Sequence, residues 1–249
     1  MRKVVVLLLA LALCLTGCGA AEADGRVAEL EAALAEKEAA YNELLAAYEA
    51  VIGSDPVVDT EVADGDFVES EVLEQLKVTE YSYKNEWAYY HFIEVENGSA
   101  FDLNVSVAVK FYNEAGELIG AKSDDKYAFE HGQKVLFYFM PDEAYTKTEY
   151  EISVVEETFY AAVVSDLSYE SVPAKEKEIV SVTNNGKDAA EFVECSILFF
   201  KNGEAVYFNS SYFVDDTSEL KPGKTITKEM DCYEPYDSYA IYLTGRKYA

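Results

Sequence analysis

From residue 76 onward the chain is written twice, and a duplicated strand pattern leaves few folds open. Val78-Thr79-Glu80-Tyr81-Ser82-Tyr83 reads against Val164-Ser165-Asp166-Leu167-Ser168-Tyr169, and Val95-Glu96-Asn97 against Val182-Thr183-Asn184. Val109-Lys110-Phe111-Tyr112-Asn113 with Gly116 matches Ile197-Leu198-Phe199-Phe200-Lys201 with Gly203. Asp124-Asp125 with Gly132 matches Asp215-Asp216 with Gly223, and Tyr150-Glu151-Ile152 matches Tyr239-Ala240-Ile241, always in the same order. In the first copy, alternating and aromatic-rich runs predict strands near 77–83, 87–96, 103–112, 117–123, 134–140 and 148–156. Trp87, Tyr89, His91, Ile93 and Val95 fall on one face of the second strand, and Val105, Val107, Val109 and Phe111 on one face of the third. Six short strands per copy suit an antiparallel sandwich with its own core. The expected fold class is therefore mainly β: two tandem antiparallel sandwiches, 76–156 and 157–249. The join at Glu156-Glu157-Thr158 has no Gly or Pro, which predicts a stiff two-domain rod.

The other end of the chain is an address. Arg2 and Lys3 precede twelve unbroken apolar residues, Val4 to Leu15. As a helix that run reaches about 18 Å, short of a hydrocarbon core of roughly 30 Å, so it is a signal-peptide core and not a permanent span. It leads directly into Leu15-Thr16-Gly17-Cys18, which resembles the lipobox of bacterial lipoproteins. The resemblance implies cleavage between Gly17 and Cys18 and a covalent lipid on the Cys18 thiol, with 1–17 removed and 18–25 forming the lipidated start. Two or three acyl chains anchor durably. The implied location is the cell membrane, on its extracytoplasmic face, and the only prosthetic group is that lipid; no other cofactor is expected.

Between anchor and repeats lie two further segments. Val27, Leu30, Leu34, Tyr41, Leu44, Tyr48 and Val51 step by three and four, with Lys37 filling the gap, and Gly53 ends the run. This predicts an amphipathic helical stalk over 26–52. Its seam is flanked by Glu31, Glu38 and Leu45 on one side and Ala33, Ala40 and Ala47 on the other, which specifies no partner, so a plain stalk is favoured over weak self-association through residues 27–51. Residues 53–75 form an acidic linker. Glu38 to Leu76 contains eleven carboxylates and no Lys or Arg, and like-charge repulsion keeps such a segment extended.

The repeated pattern of an Asn-bearing strand end, followed by an apolar-x-aromatic strand end with a glycine turn, resembles the FxLYD-type immunoglobulin-like domains that bacterial surface lipoproteins carry in tandem. Both copies depart from it at the initial Phe and the final Asp. The resemblance implies an immunoglobulin-like sandwich at a surface and brings no catalytic residues with it.

Charge then excludes whole classes of partner. Lys and Arg total 20 against 47 Asp and Glu, a formal charge of −27, which repels nucleic-acid backbones. Two histidines, His91 and His131, leave little for an imidazole-built centre, and no nucleophile or phosphate-loop motif accompanies either. Cys195 shares a face with Val193, Ile197 and Phe199, and Cys232 one with Ile226 and Met230, so both thiols point into the second core. They form either a disulfide, contributing roughly 4 kcal/mol on the chain-entropy model, or two separate buried thiols. The pairs Asp124-Asp125 and Asp215-Asp216 serve either as turn-stabilising residues, the favoured reading, or as weak calcium ligands. Tyr81, Tyr83, Tyr89, Tyr90, Tyr112, Tyr138, Tyr207, Tyr212 and Tyr233 mostly suit half-buried pleated surfaces, with a few free to meet a partner.

The functional expectation is a non-catalytic, membrane-anchored binding or scaffolding module with a protein or glycan partner outside the membrane. A cell-envelope enzyme or enzyme subunit with an acidic site is the first alternative. A structural protein that oligomerises through its helix is the second.

Overall fold

A computed structural model describes residues 66–214 and 218–248. The signal peptide, Cys18, the stalk at 26–52, most of the acidic linker, and Asp215 and Asp216 lie outside the described residues. In the first copy the strands are β1 (Leu76–Lys84), β2 (Tyr89–Asn97), β3 (Leu103–Tyr112), β4 (Leu118–Phe129), β5 (Lys134–Phe139) and β6 (Lys147–Glu156). They form two antiparallel sheets ordered β1-β2-β5 and β4-β3-β6. Strict alternation in β3 buries Val105, Val107, Val109 and Phe111 against Ile93, Val95, Val135 and Phe137 of the facing sheet.

The second copy repeats this plan. After a short β7 (Tyr160–Ala162) come β8 (Leu167–Ala174), β9 (Lys177–Asn184), β10 (Glu191–Lys201), β11 (Glu204–Tyr212), β12 (Thr225–Asp231) and β13 (Ser238–Tyr248). Their orders are β12-β9-β8 and β11-β10-β13-β7. The fold is thus mainly β, two antiparallel sandwiches each with its own core.

The duplication extends to single hydrogen bonds. Asn97 and Asn184 end β2 and β9, and both are buried. Asn97 Nδ2 donates to Phe101 O (2.9 Å) and Phe129 O (3.0 Å), and Asn184 Nδ2 donates to Asp188 O (2.8 Å) and Leu220 O (2.7 Å). Each Oδ1 accepts a backbone N–H two residues on, from Ser99 or Gly186. Each backbone carbonyl accepts from the repeated turn glycine, Gly132 or Gly223, at φ +73° and +69°. Strand pairing also corrects one match: Leu76 faces Asn97 and Leu167 faces Asn184, so Leu167 answers Leu76. Val164, read against Val78, instead starts a 3₁₀ turn ahead of β8.

Two further expectations change. Part of the presumed linker is a one-turn helix, α1 (Glu69–Leu73), whose Val72 is buried in the first core. The two sandwiches also do not simply follow one another as a rod. The outward face of β1-β2-β5 (Phe92, Leu136, Tyr81) packs on the outward face of β10, β11 and β13 (Leu198, Phe208, Tyr242). Tyr81 meets Phe200 at 5.2 Å between ring centres, and Phe92 meets Phe208 at 5.2 Å. Inside this contact Tyr242 Oη donates to Glu94 Oε2 (2.5 Å), while Lys134 Nζ donates to Glu94 Oε1 (3.0 Å). The described residues belong to one compact unit, Val62–Ala249.

Candidate functional site

An exposed aromatic surface lies where the β1–β2 hairpin reaches the second sandwich. Asn85 builds the hairpin tip: its N–H donates to Ala88 O, and its Oδ1 accepts from the N–H groups of Trp87 (2.9 Å) and Ala88 (2.8 Å). This side chain-to-backbone turn fixes the local backbone without burying it. Trp87, the sole tryptophan, stands there 89% exposed. Beside it is a cavity of about 590 Å³ lined by Tyr83 and Lys84 of the first sandwich and Val206, Tyr207 and Tyr233 of the second, with Glu86 and Glu234 also on its wall. That volume is within the roughly 300–1,000 Å³ usual for small-ligand sites.

The cavity's aromatic walls are braced. Tyr83 stacks on Tyr90 at 4.6 Å and on Phe92 at 5.8 Å, and Tyr207 meets Tyr233 edge-on at 5.8 Å. Burial, helped by neighbouring Tyr90, pushes the Tyr83 hydroxyl well above the usual phenol range, and burial likewise raises Tyr207. Both hydroxyls therefore stay protonated and can donate. The groove combines flat apolar faces with a rim of one ammonium, two carboxylates and the Asn85 amide.

Of the tyrosines singled out in the sequence, Tyr83, Tyr207 and Tyr233 line this groove, and Tyr81 and Tyr90 pack between the sandwiches. The alternation that puts Trp87 on one strand face with Tyr89 and His91 fails at its first residue: the strand begins only at Tyr89, and the indole is on the turn instead. The Asn at position 85, two residues before it, was the available signal for that turn.

The remaining candidates are placed as follows. Cys195 and Cys232 are both free and buried in the second core, the separate-thiol alternative. Cys232 Sγ donates to Glu234 O at 3.2 Å, and burial pushes the Cys195 thiol up to about 12. Asp124 and Asp125 are in β4, opposite Val107 and Ser106, and not in a turn. Asp125 accepts from the Ser106 hydroxyl and Asp124 pairs with Lys126 at 3.4 Å. Among the described residues no group of three or more His, Cys, Asp or Glu is placed to hold a metal.

His131 is at the surface with Nδ1 2.7 Å from Ser99 O, to which it donates. His91 is buried, with Nε2 3.2 Å from Glu80 Oε2 and Nδ1 3.4 Å from Tyr145 Oη; burial lowers its pKa and Glu80 opposes that shift. Six residues before Asn184, as His91 is before Asn97, the second copy has Glu178. It accepts from Ser171 Oγ (2.7 Å) and Tyr236 Oη (2.5 Å). Glu80–His91–Tyr145 and Ser171–Glu178–Tyr236 are thus equivalent polar trios, a repeated structural device in different chemistry.

No family model matches the chain, and no curated protein is similar to it. Among solved structures it is similar to red sea bream transglutaminase at 9% identity, over 69% of this chain and 29% of that one, with a TM-score of 0.23. The chain spans less than a third of that protein's length, and an overlap of this extent carries no functional argument.

Proposed function

We propose that the chain is a lipid-anchored, extracytoplasmic binding protein whose paired sandwiches offer an aromatic groove to a glycan, with no chemistry of its own. The observation that carries this reading is Trp87. An indole 89% exposed on a pinned turn, at the wall of an aromatic cavity, presents a large rigid contact face to a partner. The apolar C–H face of a sugar ring suits that indole, while hydroxyls reach Lys84, Asn85 and Glu86 on the rim. A charge of −27 works against polyanionic glycans. The non-catalytic part is supported by the Cys195 thiol, which burial holds in its protonated form away from solvent.

Since Trp87 is the sole tryptophan, its fluorescence reports on this site alone. Titration with neutral oligosaccharides of N-acetylglucosamine is expected to shift its emission to the blue in a saturable way, and Trp87→Ala to abolish binding measured by calorimetry. An unmoved spectrum across neutral and charged oligosaccharides refutes the glycan reading. A shift caused instead by peptides replaces the sugar with a protein partner. The anchor is tested separately: mass spectrometry of the mature protein is expected to find Cys18 as the first residue, carrying a diacylglyceryl group. A free thiol there removes the anchored location.

A further inference from the structure

Arg246 on β13 is surrounded by three aromatic rings. Its guanidinium carbon is 4.1 Å from the centre of Phe192, 4.3 Å from Tyr160 and 5.0 Å from Tyr127. The rings come from β10, β7 and β4, so both sandwiches and the segment joining them contribute. Two are delivered by irregular backbone. Tyr127 and Ala128 together oppose Asn104 in a bulge of β4, and Phe192 and Val193 oppose Gly245 in a bulge of β10. Each bulge contains a non-glycine residue in the left-handed region, Ala128 at φ +51° and Phe192 at φ +50°. A bulky residue held there is strained, and bulges of this kind re-aim side chains. The Glu157 carboxylate ties the parts together, accepting from the N–H groups of Ala128 (3.2 Å), Phe159 (2.8 Å) and Tyr160 (2.9 Å).

What the rings do not supply is a hydrogen-bond acceptor. Nε of Arg246 is buried with no partner, and among the described residues no carboxylate forms an ion pair with the guanidinium. Yet Arg246 lines a cavity of about 220 Å³ whose wall also includes Asp124, Asp125 and Glu194. Lys126, the other cation there, is 3.4 Å from Asp124 and 3.8 Å from Glu194, and so offsets part of that wall. The cavity wall thus carries a guanidinium held by rings alone and three carboxylates against two cations.

We infer that this cavity binds a free α-amino acid, its carboxylate on the Arg246 fork and its ammonium toward Asp124 and Glu194, the two carboxylates that share Lys126. A guanidinium presents paired N–H donors in one plane, which a carboxylate meets with both oxygens. A simple anion would gain that contact but face three carboxylates, and a simple cation would face Arg246 and Lys126. A small zwitterion satisfies both signs of charge. The volume, below the roughly 300–1,000 Å³ of drug-sized sites, suits a small ligand.

The test is calorimetric titration of the full chain in detergent with glycine, L-alanine and L-serine, and separately with acetate and methylamine. At least one amino acid is expected to bind, with either half-ligand about tenfold weaker or more. Arg246→Lys keeps the charge and much of the stem but loses the fork, and is expected to weaken binding at least about tenfold while melting as a folded protein. Asp124→Asn is expected to weaken amino acids and leave acetate unchanged. Trp87→Ala, outside this cavity, is expected to change nothing. No binding of any amino acid to the folded chain at about 10 mM overturns the inference, as does acetate binding as tightly as the amino acid or Arg246→Lys binding like the parent.

Discussion

The carboxamides of Asn97 and Asn184 are buried, and each satisfies two backbone carbonyls and at least one N–H that have no water to turn to. No other side chain of that size offers two donors and an acceptor in one plane, which is why the same residue stands in both copies. Removing it does more than delete hydrogen bonds: Phe129 O and Phe101 O lose a side-chain donor, and each buried group left unmet costs about 1–3 kcal/mol. Asn97→Ala is therefore expected to lower stability by about 3 kcal/mol, read as a drop in the urea midpoint with an unchanged slope. Asn113→Ala is the control. That amide also bonds a turn, to Glu117, but at the surface where water replaces it, and its loss is expected to cost under about 1 kcal/mol. Equal losses at the two positions would mean that burial is not what makes Asn97 matter.

Strands were the legible elements. β3 alternates cleanly because one of its faces meets the core and the other does not, and its predicted bounds, 103–112, are those observed. β2 was harder to read. His91, Ile93 and Val95 are buried as their spacing predicts, but Phe92 and Glu94 between them are buried as well, because the second sandwich covers the outer face. Period two identifies a strand with one buried face and is blind to a second covering layer. β4 continues six residues past its predicted end at 123, through Asp124-Asp125, since a polar run paired with Ser106 and Lys126 looks like a turn until its partners are known. α1 has five residues, too few for a helical period to register. The groove suffered from a related blindness: the tyrosines were visible, but which of them meet across two copies depends on sheet-to-sheet packing that no local pattern records. Arg246 carried no signal at all, because its cage is assembled from bulges in two different strands.

At the scale of the whole molecule, the argument turns on a pair of adjacent residues. Ile197 and Leu198 are neighbours in β10 and both fully buried, but they point to opposite faces. Ile197 belongs to the core of the second sandwich, whereas Leu198 belongs to the contact between the sandwiches, with Phe92, Leu136 and Tyr242. An unpaired carboxylate costs several kcal/mol in either place, so neither stays buried, but the ways out differ. A charge at 197 can reach water only by opening a core, and Ile197→Asp is expected to unfold the second sandwich. A charge at 198 can reach water if the sandwiches part, at the cost of the apolar contact and the Tyr242–Glu94 hydrogen bond, with both cores intact. Leu198→Asp is therefore expected to retain the native β signal in circular dichroism, to expand in solution X-ray scattering, and to replace one thermal transition by two. The groove at Trp87 and the cavity at Arg246 both take walls from each sandwich, so the same variant is expected to lose both binding activities while staying folded. A Leu198→Asp protein that unfolds in a single step without first expanding would show that the two cores fold only together, and that the contact between them is part of one cooperative structure.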